Sequence, residues 1–156
     1  MMEIAVPGVG PLRLEHLVLD YNGTIAEDGE LIAGVRERMD DLAGHLTLHV
    51  ITADTHGTVR EKLAGLHCSL KIIGPEAQDR SKRDFVIALG QEKTAAVGNG
   101  RNDVLMLEAA ALGISLIQKE GASGGTLRAA DLVCTSILDV FDLFLCPARL
   151  QATLRN

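Results

Sequence analysis

The chain alternates short apolar runs with amphipathic stretches, and turn-rich breaks separate them. Glu3 to Val6 reads as a strand, PGVGP at 7–11 as a turn, and Leu12 to Leu19 as a longer strand, together an N-terminal β-hairpin. Leu31, Ile32, Val35, Met39 and Leu42 recur at helical spacing and predict a helix over 31–43. Leu46 to Ile51 predicts a strand, Thr58 to Leu66 a short helix, and Ser69 to Ile73 a strand closed by Gly74 and Pro75. Ser81 to Leu89 predicts a helix with Ser81 as its cap. Thr94 to Val97 is a short strand, 98–100 a tight Gly-Asn-Gly loop, and Asn102 to Ala111 a helix. Ile114 to Ile117 predicts a strand, Gly121 to Gly125 a flexible loop, and Leu132 to Cys134 a last strand. A C-terminal helix begins at Ile137 and is interrupted or kinked at Pro147.

Strands alternating with helices predict an α/β fold, a doubly wound parallel sheet between two helical layers. The strands are short continuous apolar runs, as expected where helices cover both faces. Ligands of such sheets bind beyond the carboxyl ends of the strands. That rule points to Asp20 to Thr24, Thr52 to Asp54, the segment after Gly74, and Gly98 to Asp103.

Composition adds limits. At 156 residues, with 47% apolar and 23% charged residues, the chain fits a single globular domain over 1–156. Aromatics are only 3%, so the core must be aliphatic. The net charge of −6 argues against nucleic acid as a partner, but not against a small phosphorylated molecule held by local cations. Cys68, Cys134 and Cys146 show no zinc-like spacing and read as reduced, mostly packed thiols of a cytoplasmic protein. No apolar run approaches the roughly 20 residues of a membrane helix.

The chemistry concentrates in LVLDYNGT at 17–24. Asp20 falls at a strand end, and Gly23 permits a turn that aims backbone N–H groups inward as an anion nest. A carboxylate beside such a nest makes sense if it attacks phosphorus or if a divalent cation lies between the charges. Thr52 offers a hydroxyl, Lys82 a positive charge at the start of its helix, and Asp103 a second carboxylate beyond the glycine loop. Each alone has an ordinary structural explanation, in turn preference, strand ends, surface charge and helix capping. Their order along the chain carries the case. Among the histidines, His45 and His49 fall on one predicted strand with the same facing, a poor metal clamp, and His56 lies close enough to Thr52 to line the cleft.

DYNGT, Thr52 after LHVI, Lys82 in SKRDFV, and VGNGRND together resemble the four motifs of the haloacid dehalogenase-like (HAD) phosphohydrolases. GPEAQDRSKRDFVIAL, GNGRNDVLMLEAA and AADLVCTSI are most similar to the phosphorylation domain of P-type ATPases. The resemblance implies Asp20 as nucleophile and Mg²⁺ ligand, with the backbone carbonyl of Asn22 also on the metal. It implies Thr52 and Lys82 on the phosphoryl oxygens, supported by Asn22, Gly23, Thr24, Ala53 and Asn102. Asn99 and Asp103 would fall at the metal-binding loop.

Two positions depart from the family. Asn22 stands where phosphatases of the family usually carry a general acid–base Asp, and Asn99 stands where the metal loop normally begins with Asp. The first predicts slow turnover or selectivity for good leaving groups such as acyl, aryl or nucleoside polyphosphates, since general acid–base catalysis is worth about 10²- to 10⁴-fold. The second predicts weaker Mg²⁺ binding. An alternative is a catalytically impaired phosphate- or metal-binding module. A receiver-like signalling domain fits less well, because the Asp-bearing turn follows the first long strand. There is room for one helix between Thr24 and Leu46, and for a helix and a strand between Thr52 and Lys82, so no cap domain is expected. An open cleft suits a phosphoprotein as well as a small substrate, or a homo-oligomer that covers it. The hairpin and Phe141, Phe144 and Leu145 read as core or as contact surface.

Overall fold

In a computed structural model that describes residues 1–54 and 57–156, strands and helices alternate along the chain. His56, expected near the cleft, lies outside the described residues. The order is β1 (Met2–Val6), β2 (Gly10–Leu14), β3 (His16–Asp20), β4 (Ala26–Glu27), β5 (Glu30–Leu31), α1 (Val35–Leu42), β6 (Thr47–Thr52), α2 (Val59–Lys62), β7 (Cys68–Ile72) and α3 (Gln78–Leu89). It continues with β8 (Thr94–Gly98), α4 (Val104–Ala109), β9 (Leu112–Leu116), α5 (Gly124–Ala129), β10 (Leu132–Cys134), α6 (Ile137–Leu145) and α7 (Pro147–Leu154). Among the described residues no helix is long and apolar enough to cross a membrane.

Six strands form one sheet in the order β10-β9-β8-β3-β6-β7, all parallel. The connection from β3 runs to β6 on one side, and the chain later returns to β8 on the other. The strand order therefore reverses at β3, which makes the carboxyl end of β3 the switch point where such sheets bind ligands. Asp20 is the last residue of that strand.

The apolar runs of β3 divide between two cores because strand side chains alternate. Leu17 and Leu19 join Val50, Val97, Ile114, Met39, Val140 and Phe141 on the face covered by α1 and α6. Val18 joins Ile51, Ala96, Val86 and Met106 on the face covered by α3 and α4. The result is three layers with both sheet faces buried. Each fully buried Leu, Val or Phe contributes about 1.5–3 kcal/mol relative to exposure. Phe141 and Phe144 are fully buried, so this part of the C-terminus is core rather than contact surface.

Several expected elements shift. The long strand over 12–19 breaks at Glu15, whose N–H donates to Lys93 O at 2.8 Å and whose carbonyl accepts from Thr47 N at 2.8 Å. Those bonds pin the switch from the separate β1–β2 hairpin into the main sheet. The helix expected from Leu31 begins at Val35, because Leu31 pairs with Ala26 in a two-stranded ribbon and Ile32 N donates to Ile25 O. The helix after Thr58 is a single turn, Val59–Lys62. Ser81 is inside α3 rather than its cap, since α3 starts at Gln78 after Ala77 adopts a left-handed conformation (φ 49). Of the loop expected over 121–125, residues 121–123 are irregular, whereas Gly124 and Gly125 begin α5, where Ser123 Oγ accepts from Thr126 N at 3.1 Å and caps the turn. Pro147 begins a separate helix, α7, at a position where its missing N–H costs nothing. His45 lies before β6 and is exposed, so it does not share a face with His49. Cys146 is exposed, whereas Cys68 and Cys134 are half-buried.

Candidate active site

The carboxyl ends of β3, β6 and β8 and the second turn of α3 meet at one pocket of about 310 Å³. Asp20, Asn22, Thr52, Ala53, Lys82, Asn99 and Asn102 all line it, with Asp54, Gln78, Gly100 and Glu120. Thr24 and Asp103 stand behind that wall, both fully buried.

Lys82 organises the centre. Because α3 begins at Gln78, Lys82 lies one turn in, on the same helical face as buried Val86. Its Nζ donates to Asp20 Oδ1 at 2.6 Å and to Asp103 Oδ1 at 2.6 Å. Lys82 is 1% exposed and Asp103 is 0% exposed, so their ion pair is shielded from water, while Asp20 opens onto the pocket. Burial works against the Lys82 charge, but the two carboxylates override it and hold its pKa above the usual lysine value. Burial pushes Asp20 up to about 7, with the Asp103 charge adding to the rise, while Lys82 and the Thr24 hydroxyl oppose it.

Asp103 is fully engaged. Oδ1 accepts from Lys82, and Oδ2 accepts from Asn99 N at 3.0 Å and Gly100 N at 2.9 Å. It therefore shapes the loop after β8 and aims Lys82. Gly98 makes this approach possible, because a Cβ there would collide with Asp103 Cγ. Gly23 serves the loop after β3 in another way: its φ is +77, and a Cβ would lie 2.5 Å from Asn99 Nδ2.

Asn99 has a structural reason to be an amide. Its Nδ2 donates to Gly121 O at 3.0 Å, a bond that a carboxylate cannot make. That bond turns Oδ1 toward Thr24 Oγ1, which lies 3.5 Å away and also donates to Asp20 Oδ2 at 3.2 Å. Thr52 is nearly buried and lines the pocket, its Oγ1 accepts from Asp54 N at 3.3 Å, and among the described residues its hydroxyl proton has no acceptor. Asn102 Nδ2 donates to Gln78 Oε1 at 2.8 Å on the pocket wall. Asn22 is exposed at the rim.

Gln118 escaped the sequence reading. Its Nε2 donates to Gly23 O at 3.2 Å and Thr24 O at 2.9 Å, and its Oε1 accepts from Ile137 N at 2.8 Å. One amide thus fastens the Asp20 loop to the start of α6. A lone Gln after an apolar run carries no motif, so nothing local marks it.

Oxygen donors near Asp20 fit a hard divalent cation. They comprise the Asp20 carboxylate, the Asn99 amide oxygen and the Asn22 backbone, a set with one charged ligand. Mg²⁺ accepts one or two carboxylates and completes its shell with water and substrate phosphate. Among the described residues no group of three or more His, Cys, Asp or Glu is placed to hold a metal by itself.

No known family profile matches the chain. Two curated relatives come from Methanocaldococcus jannaschii. The uncharacterized protein MJ0073 is 46% identical over 65 residues, 42% of this chain and 70% of the relative. The uncharacterized protein MJ0072 is 44% identical over 39 residues, 25% of this chain and 89% of the relative. Among solved structures, the 3-deoxy-D-manno-octulosonate 8-phosphate phosphatase of Moraxella catarrhalis, crystallised with magnesium, phosphate and KDO, superposes with a TM-score of 0.67 at 20% identity. The match covers 91% of this chain and 94% of that one. A Legionella pneumophila chain assigned to subfamily III A of the HAD superfamily hydrolases gives a TM-score of 0.67 at 15% identity, over 92% of this chain and 88% of that one. A zinc-transporting PIB-type ATPase in its E2.Pi state gives 0.63 at 24% identity over 78% of this chain, but only 20% of that protein, so the likeness is to one portion of it. The chain belongs to the family of the two Methanocaldococcus jannaschii proteins, and it is built on the fold of the HAD superfamily hydrolases.

Proposed function

We propose that the chain is a magnesium-dependent phosphohydrolase or phosphotransferase that works through an aspartyl-phosphate on Asp20. The observation that carries this reading is the buried Asp20–Lys82–Asp103 constellation at the switch point, opening on a pocket lined by Thr52 and Asn99. The solved phosphatase with bound magnesium and phosphate supports it through a shared fold.

An Asp20 carboxylate oxygen attacks phosphorus, the bond to the leaving oxygen breaks, and water later cleaves the phosphorus–Asp20 bond. Lys82 and the Thr52 hydroxyl neutralise and orient the phosphoryl oxygens. A bound Mg²⁺ would add positive charge against the phosphoryl oxygens, held by Asp20, Asn99 Oδ1 and the Asn22 carbonyl. Asp103 keeps Lys82 aimed. Asn22 can hydrogen-bond but cannot transfer a proton, so protonation of the leaving group falls to solvent. That deficit corresponds to about 10²- to 10⁴-fold in rate and favours substrates that leave readily, such as acyl phosphates. No cap domain covers the cleft in this reading, which leaves it open to a small substrate, a phosphoprotein or a neighbouring copy.

The test is release of phosphate from acetyl phosphate and a panel of phosphate esters, with and without Mg²⁺. Wild type is expected to release phosphate only with the metal, and Asp20→Asn to release none. Asn22→Asp is expected to accelerate hydrolysis at least tenfold. Metal-independent release, or release that survives Asp20→Asn, would overturn the mechanism.

A further inference from the structure

The outer half of the pocket carries a charge pattern that the phosphoryl chemistry does not require. Among the described lining residues Lys82 is the single cation, and both of its near neighbours are carboxylates at 2.6 Å. The remaining charged lining groups are Asp54 and Glu120. Glu120 is exposed and lies over the Asp20 loop: its Oε2 comes to 2.6 Å from the position a Cβ on Gly23 would take. The neighbouring Lys119 does not offset it, because Lys119 turns outward to pair with Glu27. Asp54 follows Thr52 and Ala53 from β6, on the same pocket wall.

The neutral polar groups on the wall are amides and the Thr52 hydroxyl. Asn22, Gln78 and Asn102 line it, and Ala53 is the sole apolar side chain among the described lining residues. Such a surface gives an aromatic ring nothing to stack on, and it offers hydrogen bonds to hydroxyl and ammonium groups.

We propose that Asp54 and Glu120 form an acidic specificity rim. It admits phosphorylated substrates whose leaving group is polar and neutral or cationic and rejects leaving groups that carry their own negative charge. Amino-alcohol and polyol esters fit the rim but turn over slowly, because Asn22 cannot protonate the leaving oxygen. The inference rests on the phosphohydrolase reading for the site and adds the substrate class. It separates this chain from the solved phosphatase named for an octulosonate, an acid sugar. It also narrows the expected leaving groups, since nucleoside polyphosphates do not fit the charge and aryl groups find no ring to stack on.

The physical basis is Coulombic. A substrate phosphate with its metal is close to neutral, so the rim acts on the leaving group alone. One unit charge at the mouth of a partly solvated pocket shifts binding by about tenfold, and salt weakens the effect.

The experiment compares phosphoethanolamine, glycerol 3-phosphate and 3-phosphoglycerate, which are similar in size and differ in leaving-group charge. Turnover by wild type with Mg²⁺ at low salt is expected to favour the first two over 3-phosphoglycerate by at least about tenfold in kcat/KM. The combined Asp54→Asn and Glu120→Gln variant is expected to bring that ratio to within about threefold, as is raising the salt to about 0.5 M. A binding arm uses calorimetry of the same compounds with Mg²⁺ on Asp20→Asn, where the same order is expected without turnover. Equal preference for 3-phosphoglycerate in wild type, or a preference unchanged in the double variant, overturns the rim. Ordered binding in wild type with no turnover of these esters or of acetyl phosphate keeps the rim and overturns the phosphohydrolase reading. Turnover without discrimination does the reverse, and neither turnover nor binding overturns both.

Discussion

Two polar clusters lie at opposite ends of strand β3, and they handle charge in opposite ways. At the carboxyl end Lys82 keeps its charge against burial between Asp20 and Asp103, at 2.6 Å from each, while burial raises the pKa of Asp20 to about 7. Toward the amino end, His16 Nδ1 lies 3.1 Å from His49 Nε2, and His49 Nδ1 lies 2.6 Å from Ser69 Oγ, with Phe85 edge-on to the His49 ring at 5.6 Å. Burial, with the His16 charge adding to it, pushes His49 down to about 4. The histidine chain is therefore neutral at pH 7 and costs the fold little beyond satisfied hydrogen bonds. The carboxylate–lysine cluster sets two carboxyl groups against one ammonium, and burial makes a full charge on Asp20 unfavourable without a further cation. A cluster that is short of positive charge beside an open pocket has a use for a ligand; a neutral, satisfied cluster under a helix does not.

Variants can break or sharpen this contrast. Lys82→Met leaves two carboxylates facing each other in the interior, and the expected loss is about 3–5 kcal/mol at neutral pH. Urea denaturation measures it. Asp20→Asn added to Lys82→Met is expected to recover part of that loss, because a buried charge is removed. A Lys82→Met protein as stable as wild type would show that the cluster is not held together by charge.

Gly98→Ala comes next. Its methyl would collide with the Asp103 carboxylate and pull it away from Lys82 and the loop amides, with an expected cost of about 1–3 kcal/mol. Thermal unfolding and phosphate release, measured together, should both fall. Unchanged turnover would exclude Asp103 from aiming Lys82.

The pH dependence of stability separates the clusters by sign. His49 titrates lower in the fold than its ordinary value of 6.5, so its contribution is complete above pH 6.5 and is lost as pH falls toward 4. Asp20 titrates higher in the fold than its ordinary 3.8, so it stabilises the fold at low pH and loses that contribution as pH rises toward 7 without metal. The two effects oppose each other over the same window. Asp20→Asn should therefore expose a clear loss of stability on acidification, about 1–2 kcal/mol after allowance for the ring's partial contact with water. Adding His49→Leu should flatten it. A flat profile in Asp20→Asn alone would place the histidine chain in the charged class.

Ser115 is the smallest case. Its Oγ is buried with no hydrogen-bond partner among the described residues. Ser115→Ala is expected to leave stability unchanged or to raise it by up to about 1 kcal/mol, read by thermal unfolding. A loss above 1 kcal/mol would show that the hydroxyl has a partner such as a buried water.

Much of the fold was legible because apolar runs of strand length repeat with helical stretches between them. The β3 run that ends in Asp20 is one example, and the alternation of β6, α3, β8 and β9 around it is another. Legibility failed where a long-range bond overruled a local pattern. Leu31 and Ile32 have helical spacing, yet their backbone is taken by Ala26 and Ile25. Gly124 and Gly125 look like a loop, yet the Ser123 cap turns them into a helix. Lys82 was legible as a cation and was misplaced at a helix start, because the left-handed turn at Ala77 has no sequence signature.

For the site, the sequence determined the residue types and their order: an Asp at a strand end, a Thr, a Lys and a glycine loop with Asp. These follow from local rules, strand period and turn chemistry, so they can be read without the fold. Only the tertiary structure decided what each residue does there. It buried Lys82 between two carboxylates, and it set the Asn99 amide on Gly121. It brought Gln118 from 94 residues away onto the Asp20 loop, and it raised Glu120 over Gly23. Burial and charge proximity depend on distances through space, and chain spacing does not encode them.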